Sequence, residues 1–126
     1  MVEGEEEFLK RLRLDFAKVA SHPKVLGVIL YGSHARGEAT PRSDVDVCVV
    51  VPNLPLVDAY ELVVDLLENP DDAYDVRLFE ELPLHVQAAI IESGKTIASR
   101  DENALLEYFV RFRRDWEDVQ VRIRRS

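Results

Sequence analysis

The spacing of apolar residues changes several times along this chain, and each change marks an element. Over residues 4–20, Phe8, Leu12, Phe16 and Val19 recur at three- and four-residue intervals among charged positions, which predicts an amphipathic helix. Glu5, Glu6 and Glu7 stand in its first turn, where the helix dipole favours acids and a solvated face suffices to explain them. Ser21-His22-Pro23 ends the helix, with His22 a turn residue. Residues 25–31 then run almost uniformly apolar and β-branched, the mark of a strand covered on both faces. Similar strand patterns occupy residues 45–51 and 73–79, and residues 95–99 form a short edge candidate. Residues 56–68 read as a helix opened by Pro52-Asn53-Leu54-Pro55, and Asn69-Pro70-Asp71-Asp72 turns the chain after it. Asp58, Glu61, Asp65 and Glu68 make one acidic stripe opposite Leu62, Val63, Leu66 and Leu67, a solvated face rather than a metal site. Glu80-Glu81-Leu82-Pro83 begins another helix, which runs through a half-buried His85 to Ser93 and is capped by Gly94. The last segment, residues 101–126, is one helix with Asp101 as its N-cap. The sum is an α/β domain, a small mixed sheet of about four strands flanked by four helices.

Length and charge narrow the picture. The 126 residues make one domain, 1–126, too small for separate catalytic and acceptor-binding units. No run of apolar residues is long enough to span a bilayer and the N-terminus is acidic, so neither a membrane span nor a signal peptide is expected. Cys48 is the single cysteine, set in an apolar run, and reads as a buried thiol in a reducing cytoplasm. The net charge of −8 disfavours a protein that grips DNA directly. From Asp101 onward six basic and six acidic residues cancel, so the acidity belongs to residues 1–100.

The chemistry concentrates in residues 31–51. Gly32 and Ser33 follow the first strand at once, and a bend without a Cβ lets a ligand reach the backbone N–H groups. After ten intervening residues come Asp44 and Asp46, flanking Val45. In a strand both carboxylates leave one face while Val45 and Val47 leave the other. Neighbouring carboxylates repel unless a cation lies between them, and hard oxygen donors suit Mg²⁺ carrying substrate phosphates. No lysine-bearing phosphate loop or dinucleotide glycine fingerprint is present.

Gly32-Ser33, ten residues, then Asp44-Val45-Asp46 resembles the signature of the DNA polymerase β-like nucleotidyltransferase superfamily. The fuller string from Gly32 to Val47, GSHARGEATPRSDVDV, resembles its minimal nucleotidyltransferases, small proteins paired with HEPN-domain partners. That resemblance implies the polymerase β-like fold and strand order, ATP as co-substrate, two Mg²⁺ ions and a third aspartate on a neighbouring strand. Asp75 is the candidate for that third position, with Asp72 as the fallback. Asp44, Asp46 and Asp75 would then be both metal ligands and catalytic carboxylates, with Gly32, Ser33 and Arg36 binding the nucleotide. The implied role is that of an antitoxin which transfers AMP from ATP to a tyrosine of a HEPN ribonuclease toxin, its acceptor and partner. Two further functions stand beside it: a non-catalytic antitoxin acting by docking alone, and a transferase for a small aminoglycoside-like molecule.

Other positions carry paired readings. Arg36 either reaches the phosphates or pairs with Glu38 or Asp44. His34 adjoins the bend but has no second histidine or cysteine at ligand spacing. Arg42 and Ser43 shape the approach to Asp44, Arg77 shares the face of Asp75, and Lys95 is either solvated or near the triphosphate. In the C-terminal helix, Leu105, Phe109, Phe112, Trp116, Val119 and Ile123 form a seam. The seam serves either an interface within a homo- or hetero-oligomer or self-burial on the sheet.

Overall fold

The computed structural model describes residues 2–40, 43–67 and 74–125. Its elements, in chain order, are α1 (Val2–Asp15), α2 (Ala17–Ser21), β1 (Gly27–Tyr31), α3 (Ser33–Arg36), β2 (Val45–Val50), α4 (Leu56–Leu66), β3 (Tyr74–Leu78), α5 (Leu84–Ser93), β4 (Lys95–Ala98) and α6 (Glu102–Arg125). The expected single helix over residues 4–20 breaks at Phe16, whose backbone leaves helical geometry (φ −101°, ψ 8°). Phe16 is fully buried there, so the straight helix yields where its aromatic ring enters the core. That break and the single turn α3 raise the count from the expected four helices to six among the described residues.

The four strands form one mixed sheet in the order β3-β2-β1-β4. β1 runs antiparallel to both β2 and β4, whereas β2 and β3 are parallel, joined by a crossover through α4. Alternation sorts the strand residues onto two faces, each with its own core. Val28, Leu30, Val45, Val47 and Val49 pack with Leu12, Phe16 and Val19 of α1 and α2 and with Val63 of α4. Ile29, Cys48 and Val50 face the other way, onto Phe79, Ile90 of α5 and Leu105 of α6. Burial holds the Cys48 thiol protonated, well above its usual range, in keeping with a core thiol.

The helix expected from residue 80 starts later. Phe79–Glu81 forms a 3₁₀ turn, and Pro83 caps α5. Gly94 ends α5 with an ordinary φ of −70°. Space, not a left-handed turn, selects glycine here: a Cβ would lie 2.6 Å from the Ile90 carbonyl oxygen and 2.8 Å from Ile29 Cγ2.

α6 begins as predicted, with the Ala104 N–H donating to Asp101 Oδ1 at 3.0 Å. Its first half is core. Leu105 is seated over Gly27, and Tyr108, Phe109 and Phe112 surround the buried Phe79 ring at centroid distances of 6.0, 5.3 and 5.6 Å. Self-burial accounts for the first half of the seam. Leu105, Tyr108, Phe109 and Phe112 pack over the sheet, while a helix of 24 residues, about 36 Å long, carries Trp116 past it. The seam side chains of Val119 and Ile123 lie outside the described residues. Among the described residues, no helix is long and apolar enough to cross a membrane.

Candidate active site

The site lies at the sheet end where β1 finishes and β2 and β3 begin. Gly32 follows β1 with φ +73° and ψ −152°, a conformation side-chain-bearing residues avoid. A Cβ on Gly32 would overlap Asp46 Oδ2 and lie 3.1 Å from Asp46 Cγ. The bend is therefore packed against a carboxylate, not against hydrocarbon. α3 starts at Ser33 and closes at Gly37, where φ is +72°.

Strand register supplies the rest of the cluster. Tyr31 pairs with Asp46 across β1 and β2, and Asp46 pairs with Asp75 across β2 and β3. Directly paired residues share a face, so Tyr31, Asp46 and Asp75 form one row across three strands. Val45 and Val47 are buried on the opposite face, as alternation requires. Asp44 stands exposed just before β2. Partial burial raises the Asp46 carboxyl above the ordinary range. The negative charges of Asp75 and Asp44 add to the rise, and His34 and Arg36 oppose it. Asp46 thus feels both of the other aspartates beside the Gly32 bend.

Arg77 Nε donates to Asp75 Oδ1 at 2.9 Å on the solvent side. Among the described residues, no three acid, histidine or cysteine side chains are already drawn into a metal cage. The donor chemistry nevertheless fits a hard divalent cation: oxygen donors only, at the same end of neighbouring strands, with a repulsion on Asp46 that His34 and Arg36 offset only in part. Asp72, the fallback, and Arg42 lie outside the described residues.

Around the bend the side chains divide. Arg36 pairs with Glu38 at 3.0 Å, both exposed, and not with Asp44. That contact uses Nε alone of the five N–H donors of a guanidinium. His34 is stacked on Phe8 of α1 (centroids 5.1 Å, interplanar angle 21°), and its Nε2 lies 3.3 Å from the Ser43 carbonyl oxygen. It therefore ties the loop to α1. Ser43 Oγ accepts the Thr40 N–H at 2.9 Å, the local capping that a serine before a strand suggests. Lys95 pairs with Glu5 of α1 at 3.0 Å, and its strand partner Leu30 belongs to the sheet face opposite the carboxylates.

Two side chains gain importance from the structure. Tyr31 was readable only as the end of an apolar strand, yet its ring borders Asp46. Burial and the Asp46 charge hold its phenol protonated. Alternation from Asp46 would have placed it there had the β1–β2 register been known. His85, expected half-buried among apolar neighbours, is exposed at the start of α5.

Comparison with known proteins bears on the family and the fold. The family model described as "Polymerase beta, Nucleotidyltransferase" matches residues 17–103. A Methanocaldococcus jannaschii protein named "Putative protein adenylyltransferase MJ1547" is 42% identical over 103 residues, covering 82% of this chain and 79% of its own length. A toxin–antitoxin crystal structure with AMP-PNP aligns at a TM-score of 0.62 and 21% identity, covering 94% of this chain and 90% of that one. A complex of the tri-AMPylated Shewanella oneidensis HEPN toxin with its MNT antitoxin aligns at 0.55 and 19%, covering 94% and 87%. At those identities the two structures speak for the fold. The match over residues 17–103, which takes in the bend, the paired aspartates and the sheet that carries them, makes this chain a member of the polymerase β nucleotidyltransferase family.

Proposed function

We propose that this chain transfers AMP from ATP to a protein hydroxyl, a tyrosine of a HEPN toxin, and thereby acts as its antitoxin. The observation that carries the reading is the row of Asp46 and Asp75, in register on adjacent strands, beside a positive-φ glycine bend packed against the Asp46 carboxylate. The MJ1547 relative is named for the same activity, and the structural neighbours pair an antitoxin of this fold with AMP-PNP or with an AMPylated toxin.

In the proposed reaction Gly32 and Ser33 hold the β- and γ-phosphates through backbone N–H groups and the Ser33 hydroxyl, with Arg36 reaching the same phosphates. The acceptor hydroxyl oxygen attacks the α-phosphorus in line, the bond to the β-phosphate oxygen breaks, and pyrophosphate leaves. Asp75 takes the acceptor's proton at a carboxylate oxygen. Asp44, Asp46 and Asp75 are the residues that would hold Mg²⁺, two ions of which would neutralise the triphosphate and the attacking and leaving oxygens. The protein's own share is positioning in a charge-complementary site. Incubating the chain with labelled ATP, Mg²⁺ and the HEPN protein of its genomic neighbour tests the reading. Label should pass to that protein, and an Asp44→Asn/Asp46→Asn variant should transfer none; equal labelling by both sinks it.

A second reading, neutralisation by docking alone, rests on the exposed side of α6. Leu106 and Val110 are 62% and 45% exposed there, and Phe112 and Trp116 line a hollow of about 220 Å³ against α5. Truncation after Glu107 is a poor test, because it strips Tyr108, Phe109 and Phe112 from the core. Trp116→Ala leaves that core in place: lost neutralisation with intact AMP transfer would favour docking.

A further inference from the structure

A cleft of about 260 Å³ opens between the Gly32 bend and α5. Tyr31, Gly32 and Arg36 line one side, and His85, Ala89 and Ser93, spaced four apart along one stripe of α5, line the other. Register places it on the carboxylate side of the sheet, since Tyr31 is the strand partner of Asp46. In a chain of net charge −8, none of the cleft's lining residues is acidic. It is also smaller than the roughly 300–1,000 Å³ of sites that enclose a whole drug-sized ligand, so part of a nucleotide fits it better than all of one.

Resting on the adenylyl-transfer reading, we propose that this cleft holds the pyrophosphate end of ATP, with His85 and Ser93 of α5 as phosphate ligands facing Arg36 and the Gly32 bend. The polar groups it presents are the Tyr31 phenol, the Arg36 guanidinium, the His85 imidazole and the Ser93 hydroxyl, which donates to the Ala89 carbonyl oxygen at 2.9 Å and would turn to a bound phosphate. A bare apolar slot would not gather four polar groups beside the Gly32 bend, and none of the four carries a negative charge that would repel phosphate. The leaving pyrophosphate would then be gripped from two elements, β1–α3 and α5, and α5 would share in its release.

The test compares binding of ATP, AMP and inorganic pyrophosphate to the full chain, with Mg²⁺ present, by calorimetry. His85 is exposed, so His85→Ala should leave the fold intact, which circular dichroism would verify. His85→Ala should weaken ATP and pyrophosphate about threefold to tenfold, one hydrogen bond's worth, and leave AMP within twofold. Ser93→Ala should act in the same sense, and His85→Gln, which keeps an N–H donor, should recover part of the loss. If His85→Ala weakens AMP as much as pyrophosphate, or changes neither, the cleft assignment is overturned while the transfer reading stands. Failure of the unaltered chain to bind ATP at all would overturn both.

Discussion

Gly32→Ala is the perturbation that speaks most clearly about the site. The backbone at φ +73° and ψ −152°, a region almost reserved to glycine, costs a residue with a side chain about 1–3 kcal/mol. The new methyl would also overlap Asp46 Oδ2, so the carboxylate must swing out of its row with Asp75. A displacement near 1 Å in a reacting group lowers activity on the order of a hundredfold. Gly94→Ala is the matched control. Its methyl would also be blocked, at 2.6 Å from a carbonyl oxygen, but at ordinary φ and with Ile29 and Ile90 as the neighbours that must give. It should cost about 1–3 kcal/mol of stability and leave the carboxylates in place. Both variants should melt several degrees below the unaltered protein, at roughly 2–8 °C per kcal/mol. Nucleotide binding and AMP transfer, measured well below both melting points, should collapse in Gly32→Ala alone. Transfer at the unaltered rate by folded Gly32→Ala would refute the placement of Asp46, and an equal loss in Gly94→Ala would mean that stability, not the site, was being measured.

Phe79 is fully buried under three aromatic side chains of α6, so Phe79→Ala should cost about 3–5 kcal/mol in urea unfolding, and a cost under 1 kcal/mol would contradict the packing described. Arg77→Ala should change stability by less than about 1 kcal/mol, since the pair is exposed, yet tighten Mn²⁺ binding severalfold by removing the cation that competes at Asp75; unchanged or weaker Mn²⁺ binding would count against Asp75 as a ligand. Asp46 has its carboxyl raised in the folded state, so the folded protein binds that proton more tightly than the unfolded chain does. The stability this contributes is complete below the unfolded carboxylate value near 4 and is lost as pH rises through the raised folded value. Without divalent ions, Asp46→Asn should therefore gain on the unaltered protein as pH climbs from about 4 towards 7, and a difference independent of pH would remove the like-charge cluster from the account.

The strands were legible because their composition is unambiguous: residues 45–51 contain five valines and a cysteine, and burial on both faces leaves little else to read. The motif carried the site's first half for the same local reason, since Gly32 and the Asp44–Asp46 pair lie within one loop of each other. Asp75 needed a nonlocal fact, the parallel register of β2 and β3, which no spacing along the chain reveals. His85 was misread because its neighbours Leu84 and Val86 suggest burial, whereas the turn of α5 leaves it facing solvent. Phe16 illustrates the opposite failure: its helical spacing was right, but tertiary packing broke the helix around it. The choice of partner for Arg36 depended on side-chain geometry at an exposed position, where sequence weighs alternatives evenly.

Asp75→Asn offers the most direct trial of the whole account, because only the fold joins that residue to the motif. The proposed HEPN partner would be incubated with ATP, Mg²⁺ and each form of the chain, and its intact mass recorded. The unaltered chain should add one or more AMP groups to a tyrosine, while Asp46→Asn and Asp75→Asn, both still folded, should add none. A partner modified as fully by Asp75→Asn as by the unaltered chain would contradict an active site shared between β2 and β3.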